Sequence, residues 1–165
     1  PAALGALYER HAAAVYRYLA RRVGPAAAED LLGDVFVAAL EAVARYRPTG
    51  HDSALPWLYG IARNLVRAHL RRKEANGLAD LGTGVDWDAV DARLDAEAVR
   101  TEIRDALEAL SGTEREVLLL HAWEQLDPHE IALVLGISPP AARTRLSRAR
   151  RRARGFLGAP LAFPV

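Results

Sequence analysis

The chain has 165 residues, of which 51% are apolar, and a formal net charge of +1, values that fit one globular domain or two small ones. The lack of cysteine excludes disulfides, cysteine-ligated zinc and thiol nucleophiles, and the five histidines show no paired metal spacing, so we expect no metal ion and no cofactor. No apolar run approaches the roughly 20 residues of a membrane-spanning helix, and the N-terminal residues lack the segments of a signal peptide, which together predict a cytoplasmic protein that does not use a membrane.

Three amphipathic helices are predicted in the first 73 residues, because apolar residues recur there at helical spacing. The first stripe ends near Gly24 and Pro25, the second ends before Pro48, and the third begins at Pro56. The stripes comprise Leu4, Leu7, Tyr8, His11, Val15, Tyr18 and Leu19, then Leu32, Val35, Phe36, Ala39, Leu40 and Val43, then Trp57, Leu58, Ile61, Ala62, Leu65, Val66, His69 and Leu70. From 61 to 73 the third helix also carries five basic residues and no acid, all of them off its apolar stripe.

The segment from 74 to 97 reverses the sign of the charge. It holds seven acidic residues against Arg93 alone, a net charge of −6, and glycine-containing turns interrupt it at 76–77 and 82–84. We therefore expect a flexible acidic linker over 74–95 between two helical domains, 1–73 and 96–157, with a tail at 158–165. Its charge fits either a plain solvated connector or a segment that avoids a polyanion bound by the basic helices on both sides.

Four further helices are predicted in the second domain. Ile103, Ala106, Leu107 and Leu110 indicate the first of them, and Ser111-Gly112-Thr113-Glu114 is a capping box that opens the second. Asp127-Pro128-His129-Glu130 starts a short third helix, which Gly136 closes in the left-handed conformation. Ser138 caps the fourth, whose first turn tolerates Pro139 and Pro140.

The last predicted helix divides its residues between two faces. Ala142, Leu146 and Ala149 form an inward stripe, and seven arginines with no acid cover the remainder before Gly155. A helix that enters the major groove of DNA needs this division. The pattern therefore predicts a DNA-binding helix-turn-helix. The alternative is a solvated helix end whose arginines complement the helix dipole.

Three motifs in this order resemble the extracytoplasmic-function group of bacterial RNA polymerase sigma factors. They are EDLLGDVF at 29–36, LPWLYGIARN at 55–64 and RLSRARR at 145–151. The match covers nearly the whole chain, and the group keeps only sigma domains two and four, which fits this length. The resemblance implies an all-α protein of two small helical domains, with domain two at 1–73 and domain four at 96–157.

The function implied by the resemblance is that of a promoter-specificity subunit without catalytic activity. Such a subunit binds core RNA polymerase through the beta-prime clamp helices and the beta flap, recognises the −10 and −35 elements of promoter DNA, and promotes melting. An anti-sigma factor that covers the core-binding surfaces is a further expected partner, and no small-molecule substrate is expected. The resemblance places the protein in the cytoplasm, associated with the nucleoid when in holoenzyme, and implies that the acidic linker mimics nucleic acid in the polymerase cleft.

The resemblance also assigns residues to a core-polymerase surface and to the −10 element. The −10 chemistry is reasonable, because arginines neutralise phosphates, Asn64 offers a donor and an acceptor to a base edge, and the loop at 50–54 could hold an extruded base. Trp57 fits either a stacking face or the core. The core-polymerase residues are Asp30, Leu31, Asp34, Val37 and Glu41, and the −10 residues are His51, Asp52, Ser53, Trp57, Arg63, Asn64, Arg67 and Arg71.

For the −35 element, the resemblance places the start of the last helix in the major groove. Side chains near that end reach base edges, and later arginines hold phosphates. One departure from the family is Pro139-Pro140, which stiffens the helix start and removes backbone donors. The expected −35 residues are Ser138, Arg143, Thr144, Arg145, Ser147, Arg148, Arg151 and Arg152.

Two other classes of protein remain as alternatives. A stand-alone helix-turn-helix regulator, with a ligand-sensing or dimerising N-terminal domain, leaves the second basic helix and Asn64 unexplained. An enzyme acting on nucleic acid has little support, because Glu108, Glu114, Glu116 and Glu130 form no recognisable catalytic group and Asp86, Asp88 and Asp91 lie in a linker unsuited to rigid metal binding.

Overall fold

The computed structural model describes residues 2–46, 53–76 and 97–156, and within these ranges all regular structure is helical. The predicted all-α class is therefore confirmed. The chain divides into two compact units between Val90 and Asp91. Most of the predicted linker and the tail at 158–165 lie outside the described residues, so both stay predictions. No helix in the described ranges is long and apolar enough to cross a membrane.

The described residues of the N-terminal unit form three α-helices and one short 3-10 turn. These are α1 (Ala2–Val23), α2 (Pro25–Ala42), the 3-10 turn Val43–Arg45, and α3 (Leu55–Ala75). Gly24 separates α1 from α2 with a φ of 80°, a backbone conformation open to glycine, and Pro25 then occupies the start of α2. The predicted helix boundary at this pair is correct. At the other end α3 continues to Ala75, two residues beyond the predicted end of the domain.

Aromatic rings and one cation connect α1 to α3 in the core. Tyr18 and Tyr59 are almost fully buried and stack with their ring centroids 5.0 Å apart. The guanidinium of Arg22 lies 3.6 Å from the centroid of the Tyr18 ring, and its Nη1 donates to the Tyr18 carbonyl at 3.0 Å. A cation over an aromatic face is attracted by the ring quadrupole. Arg22 is only 9% exposed, so its positive charge lies inside the fold, beside a carbonyl near the C-terminal end of α1.

The predicted apolar stripe of α2 is wrong at two positions. Leu40 and Val43 are 53% and 55% exposed, and the neighbouring Val37 is 59% exposed. The buried face of α2 consists instead of Ala28, Leu31, Val35, Phe36 and Ala39. Leu40 follows Ala39 by one position and is therefore rotated by about 100° from that face. Val43 falls in the 3-10 turn, beyond the end of α2.

Between 97 and 156 the C-terminal unit forms four α-helices with the caps that the sequence predicts. They are α4 (Glu97–Glu108), α5 (Gly112–Glu124), α6 (Pro128–Leu135) and α7 (Pro139–Phe156). The Ser111 and Asp127 capping boxes are both formed, and Gly136 closes α6 with a φ of 65°. Gln125 ends α5 in the same left-handed region with a φ of 56°, which the sequence did not indicate.

Charged side chains close the corner between α4 and α5. Arg115 donates from Nε to the Leu107 carbonyl at 2.7 Å and from Nη2 to the Leu110 carbonyl at 3.1 Å. Arg152 reaches the same corner from α7, because its Nη1 lies 2.9 Å from Oε2 of Glu114 and its Nη2 donates to the Ala109 carbonyl at 3.1 Å. Such bonds satisfy carbonyl groups that the end of a helix leaves unpaired. The corner therefore fastens α7 to the start of α5.

We expect Glu114 to make the C-terminal unit more stable at neutral than at acid pH. The backbone N–H of Ser111, then its hydroxyl, and then Arg152 lower the pKa of this carboxyl. A carboxylate whose folded pKa is lowered stabilises the fold above its unfolded pKa, and this contribution is lost as the pH falls through the folded value. Glu114→Gln should lower the thermal midpoint at pH 7 by about 2–5 °C and cost progressively less toward strongly acidic pH.

Thermal unfolding followed by circular dichroism, from pH 7 to strongly acidic pH, measures the change in thermal midpoint. Glu102→Gln, which neutralises an exposed acid on α4, is the matched control and should leave the pH profile unchanged. If Glu114→Gln lowered the thermal midpoint by the same amount at every pH, the stabilising role given to the Glu114 carboxylate would be wrong.

Candidate nucleic-acid interface

The candidate interface in the C-terminal unit is the exposed surface of α7. Its inner stripe, Ala142, Leu146, Ala149 and Ala153, is no more than 3% exposed. Helical spacing then directs the polar residues outward. The exposed polar side chains are Arg143, Thr144, Ser147, Arg148, Arg151, Arg152 and Arg154, and Arg145 is half-buried on one flank. Six of the eight residues predicted for the −35 element therefore lie on the exposed part of α7, which carries no acid.

The start of α7 has its backbone donors removed or occupied. Pro139 and Pro140 have no N–H group, the Ala141 N–H lies 3.4 Å from Oγ of Ser138, and the Ala142 N–H donates to the Ser138 carbonyl at 3.0 Å. An anion at this helix end would meet no free donor in the first turn. The Ser138 side chain acts as a cap, so contacts with a phosphate depend on side chains further along α7 and not on the backbone of its first turn.

Two arginines of α7 are held within the unit. Arg152 contacts Glu114 and the Ala109 carbonyl, as described above, although its side chain is 52% exposed. Arg150 contacts Nε2 of His121 through its Nη2. We therefore do not carry the predicted phosphate role of Arg152 forward. The sequence indicated neither partner, because Arg152 lies 38 residues from Glu114 and Arg150 lies 29 residues from His121.

A second basic surface lies on α3. Asn64, Arg67 and Arg71 are exposed and follow one another at i, i+3 and i+7, so they share one face. Arg63 lies off that face and is half-buried. Beside them, burial and then the charges of Lys73 and Arg72 lower the pKa of His69. The contribution of Lys73 and Arg72 to this lowering, which is smaller than that of burial, reflects the positive charge at this end of α3.

At the start of α3 the structure describes two of the four predicted contact residues. Trp57 is half-buried and packs against Tyr46, with ring centroids 4.8 Å apart. Oγ of Ser53 accepts the Leu55 N–H at 3.2 Å and so caps the helix start. His51 and Asp52 lie outside the described residues.

The exposed face of α2 forms a third surface, which combines acidic and apolar side chains. Asp30, Asp34, Val37 and Glu41 are all exposed, at i, i+4, i+7 and i+11. Leu31, predicted to belong with them, is only 3% exposed because it packs in the core of the unit. Leu40 takes its place as an exposed apolar neighbour, and its exposure could not be read from hydropathy, since a leucine is more often buried.

Within residues 2–46, 53–76 and 97–156 no group of three His, Cys, Asp or Glu side chains could hold a metal ion. The exposed faces of α3 and α7 carry arginines and amides, groups that can bind phosphates and base edges, and the exposed face of α2 combines apolar and acidic side chains, a composition that can bind a protein.

Comparison with known proteins identifies the family. Residues 7–76 match Sigma-70 region 2, and residues 100–152 match Sigma-70 region 4. The RNA polymerase sigma factor CarQ of Myxococcus xanthus is 35% identical over 92% of this chain and 87% of its own length. The ECF RNA polymerase sigma factor SigL of Mycobacterium tuberculosis is 31% identical over 93% of this chain and 88% of its own. The structure of CnrH in complex with the cytosolic domain of CnrY aligns with a TM-score of 0.60 and 26% identity, covering 94% of this chain and 88% of CnrH. With identity of this extent over both units, the chain belongs to the extracytoplasmic-function (ECF) RNA polymerase sigma factors.

Proposed function

We propose that this chain is a promoter-specificity subunit that binds core RNA polymerase, recognises two promoter elements and promotes duplex opening. The observation that carries the proposal is the presence of one exposed basic helix surface in each unit, each on a helix whose opposite face is buried. Phosphates attract such surfaces regardless of sequence, and amide or guanidinium groups among them can select bases. Two such surfaces on one chain fit two elements of one promoter.

Each surface receives one role in this proposal. Asn64, Arg67 and Arg71 contact the −10 element, with Arg63 at the side of their face. The family resemblance gives the same role to Trp57, His51, Asp52 and Ser53. Arg143, Thr144 and Arg145 reach base edges of the −35 element, because they lie in the first two turns of α7. Ser147, Arg148 and Arg151 hold phosphates further along. The face of Asp30, Asp34, Val37 and Glu41 binds the beta-prime clamp helices of core polymerase, and the beta flap is assigned to the C-terminal unit.

A protein inhibitor is a further proposed partner. CnrH was solved bound to the cytosolic domain of CnrY. In this chain the exposed apolar residues Val37, Leu40 and Val43 lie beside exposed acids on α2. An anti-sigma factor that covered this face would compete directly with core polymerase. Action in the cytoplasm, with nucleoid association in the holoenzyme, follows from the same proposal.

The base-reading and phosphate-holding roles on α7 can be separated by three arginine variants. Arg143→Ala should cost about 1–3 kcal/mol on a preferred duplex and relax the preference at one position, as loss of a base contact does. Arg151→Ala should weaken preferred and scrambled duplexes alike and lower the slope of log K against log salt by about one. Binding is measured with reconstituted holoenzyme and a duplex that the wild-type holoenzyme selects from a randomised pool.

Arg152→Ala is the matched control, because it removes the same charge from the same helix at a side chain that is engaged inside the unit. It should lower the thermal midpoint and leave the salt slope near the wild-type value. A slope reduced as much as in Arg151→Ala would assign Arg152 to DNA after all.

The −10 role of α3 is tested at Asn64. Asn64→Ala removes the exposed amide while favouring the helix, so core binding should persist and open-complex formation should fall. Permanganate reactivity of thymines near the start site reports opening. Asn76→Ala, at the exposed end of α3, is the control and should open normally. Normal opening by Asn64→Ala would remove Asn64 from the proposed site.

The core-binding face of α2 is tested at Val37. Val37→Asp would place an unpaired carboxylate in an interface that excludes water, so affinity for core polymerase should fall more than about tenfold. The matched control, Ala13→Asp, adds the same charge at an exposed position of α1 and should bind normally. Fluorescence anisotropy with labelled protein gives both affinities. Equal affinities for the two variants would exclude this face from the contact.

A further inference from the structure

His121 connects three parts of the C-terminal unit. It lies in the last turn of α5 and is half-buried. Its Nδ1 lies 2.9 Å from the carbonyl oxygen of Leu126, a buried residue in the connection to α6. Its Nε2 contacts Nη2 of Arg150 on α7. One imidazole ring therefore links the end of α5, the turn before the helix-turn-helix, and the helix assigned to the −35 element.

These two partners determine where the ring carries its proton. A carbonyl oxygen can only accept, so Nδ1 has to donate its hydrogen to Leu126. A guanidinium group can only donate, so Nε2 has to offer its lone pair to Arg150. The arrangement is possible for one form of the side chain, the neutral imidazole with hydrogen on Nδ1. In the protonated form both ring nitrogens are donors, and a second positive charge would face Arg150.

The contact holds one flank of α7. Arg150 and Arg143 are seven residues apart and so lie on the same side of the helix, one near its middle and one near its start. On the opposite flank Arg152 is bound to Glu114 and the Ala109 carbonyl. The inner stripe between the flanks consists of three alanines and Leu146. Side chains as small as alanine leave rotation of a helix about its axis weakly opposed, so polar contacts on both flanks help to fix it.

On the basis of the proposed function, we propose that His121 is a positioning residue for −35 recognition: through Arg150 it fixes the rotation of α7, and it does so only while its ring is neutral. His121 does not itself contact DNA. Loss of the contact leaves α7 held on one flank, which misaligns the base-reading side chains near its start.

Protonation of His121 would turn Nε2 into a donor and add a positive charge beside Arg150, among charged groups of both signs. On α7 the ring meets Arg150, with Arg143 and Arg154 on the same side of that helix by periodicity. On α6 the carboxylates of Asp127 and Glu130 accept backbone N–H groups in a capping box. The remaining titratable groups of α5 and α6 nearby in sequence are Glu124, which is half-buried, and His129, which is exposed. Promoter affinity should therefore fall as the pH falls through the range in which imidazoles take up a proton.

The experiment compares wild-type and His121→Gln holoenzymes on the pool-selected duplex from about pH 8 to about pH 5.5, the range in which imidazoles titrate. Glutamine can donate to the Leu126 carbonyl and accept from Arg150, and it cannot be protonated in this range. The ratio of the two affinities at each pH cancels every other titrating group of the polymerase. We expect a ratio near one at high pH and a wild-type affinity about three- to tenfold weaker at low pH, as loss of one hydrogen bond of ordinary net strength produces.

Two further variants make the test specific. His129→Gln is the matched control and should keep the wild-type pH profile. Arg150→Ala removes the partner, so His121→Gln in that background should no longer change the pH profile. A constant ratio between wild type and His121→Gln, or a ratio that still varies with pH in the Arg150→Ala background, would overturn the inference while leaving the proposed function intact. A wild-type holoenzyme that selects no duplex would overturn the proposed function and this inference with it.

Discussion

The contact between α7 and the rest of the C-terminal unit rests on a narrow stripe of small side chains. Three alanines and one leucine are buried there, so nearly all other positions of the helix stay available for charged residues. Seven arginines on one helix repel one another, and the fold has to hold them together by packing and by the capped helices α5 and α6. Three features depend on how this stripe packs against the other helices of the unit. They are the proposed DNA-binding surface, the contact of Arg152 with Glu114 and the contact of Arg150 with His121.

The N-terminal unit meets a similar requirement by different means. There the basic helix α3 is held through large side chains, with Tyr59 stacked on Tyr18 and the Arg22 guanidinium over the Tyr18 ring. Large aromatic contacts fix both position and rotation of a helix, whereas alanine contacts fix mainly its distance. This difference explains why α7 needs polar bonds at its flanks. The face of α3 that carries Asn64 is already oriented by its buried rings.

Features determined by local sequence could be predicted, and features determined by packing could not. The Ser111 and Asp127 caps, the left-handed Gly136 and the buried stripe of α7 each follow from residues within one or two turns. Helical periodicity predicted the direction of the side chains on α2 but not where this helix stops contacting the rest of the unit. Leu40 and Val43 were therefore wrongly predicted to belong to its buried face, and Leu31 was wrongly predicted to belong to its exposed face. The partners of Arg150 and Arg152 are distant in sequence, and a run of arginines does not show which of its members form bonds within the unit.

If α7 binds the −35 element as proposed, the paired prolines at its start affect the entropy of DNA binding. They fix the backbone there before any partner arrives, which lowers the conformational freedom lost on association. Because the prolines have no backbone N–H, contacts with DNA at this end depend on long arginine side chains instead of rigid backbone donors. Each such side chain that becomes ordered costs about 0.5–1.5 kcal/mol. The two effects oppose each other. The main chain at the start of α7 is already fixed, so, on the proposed assignment, binding of a promoter at this surface consists largely of ordering its exposed side chains.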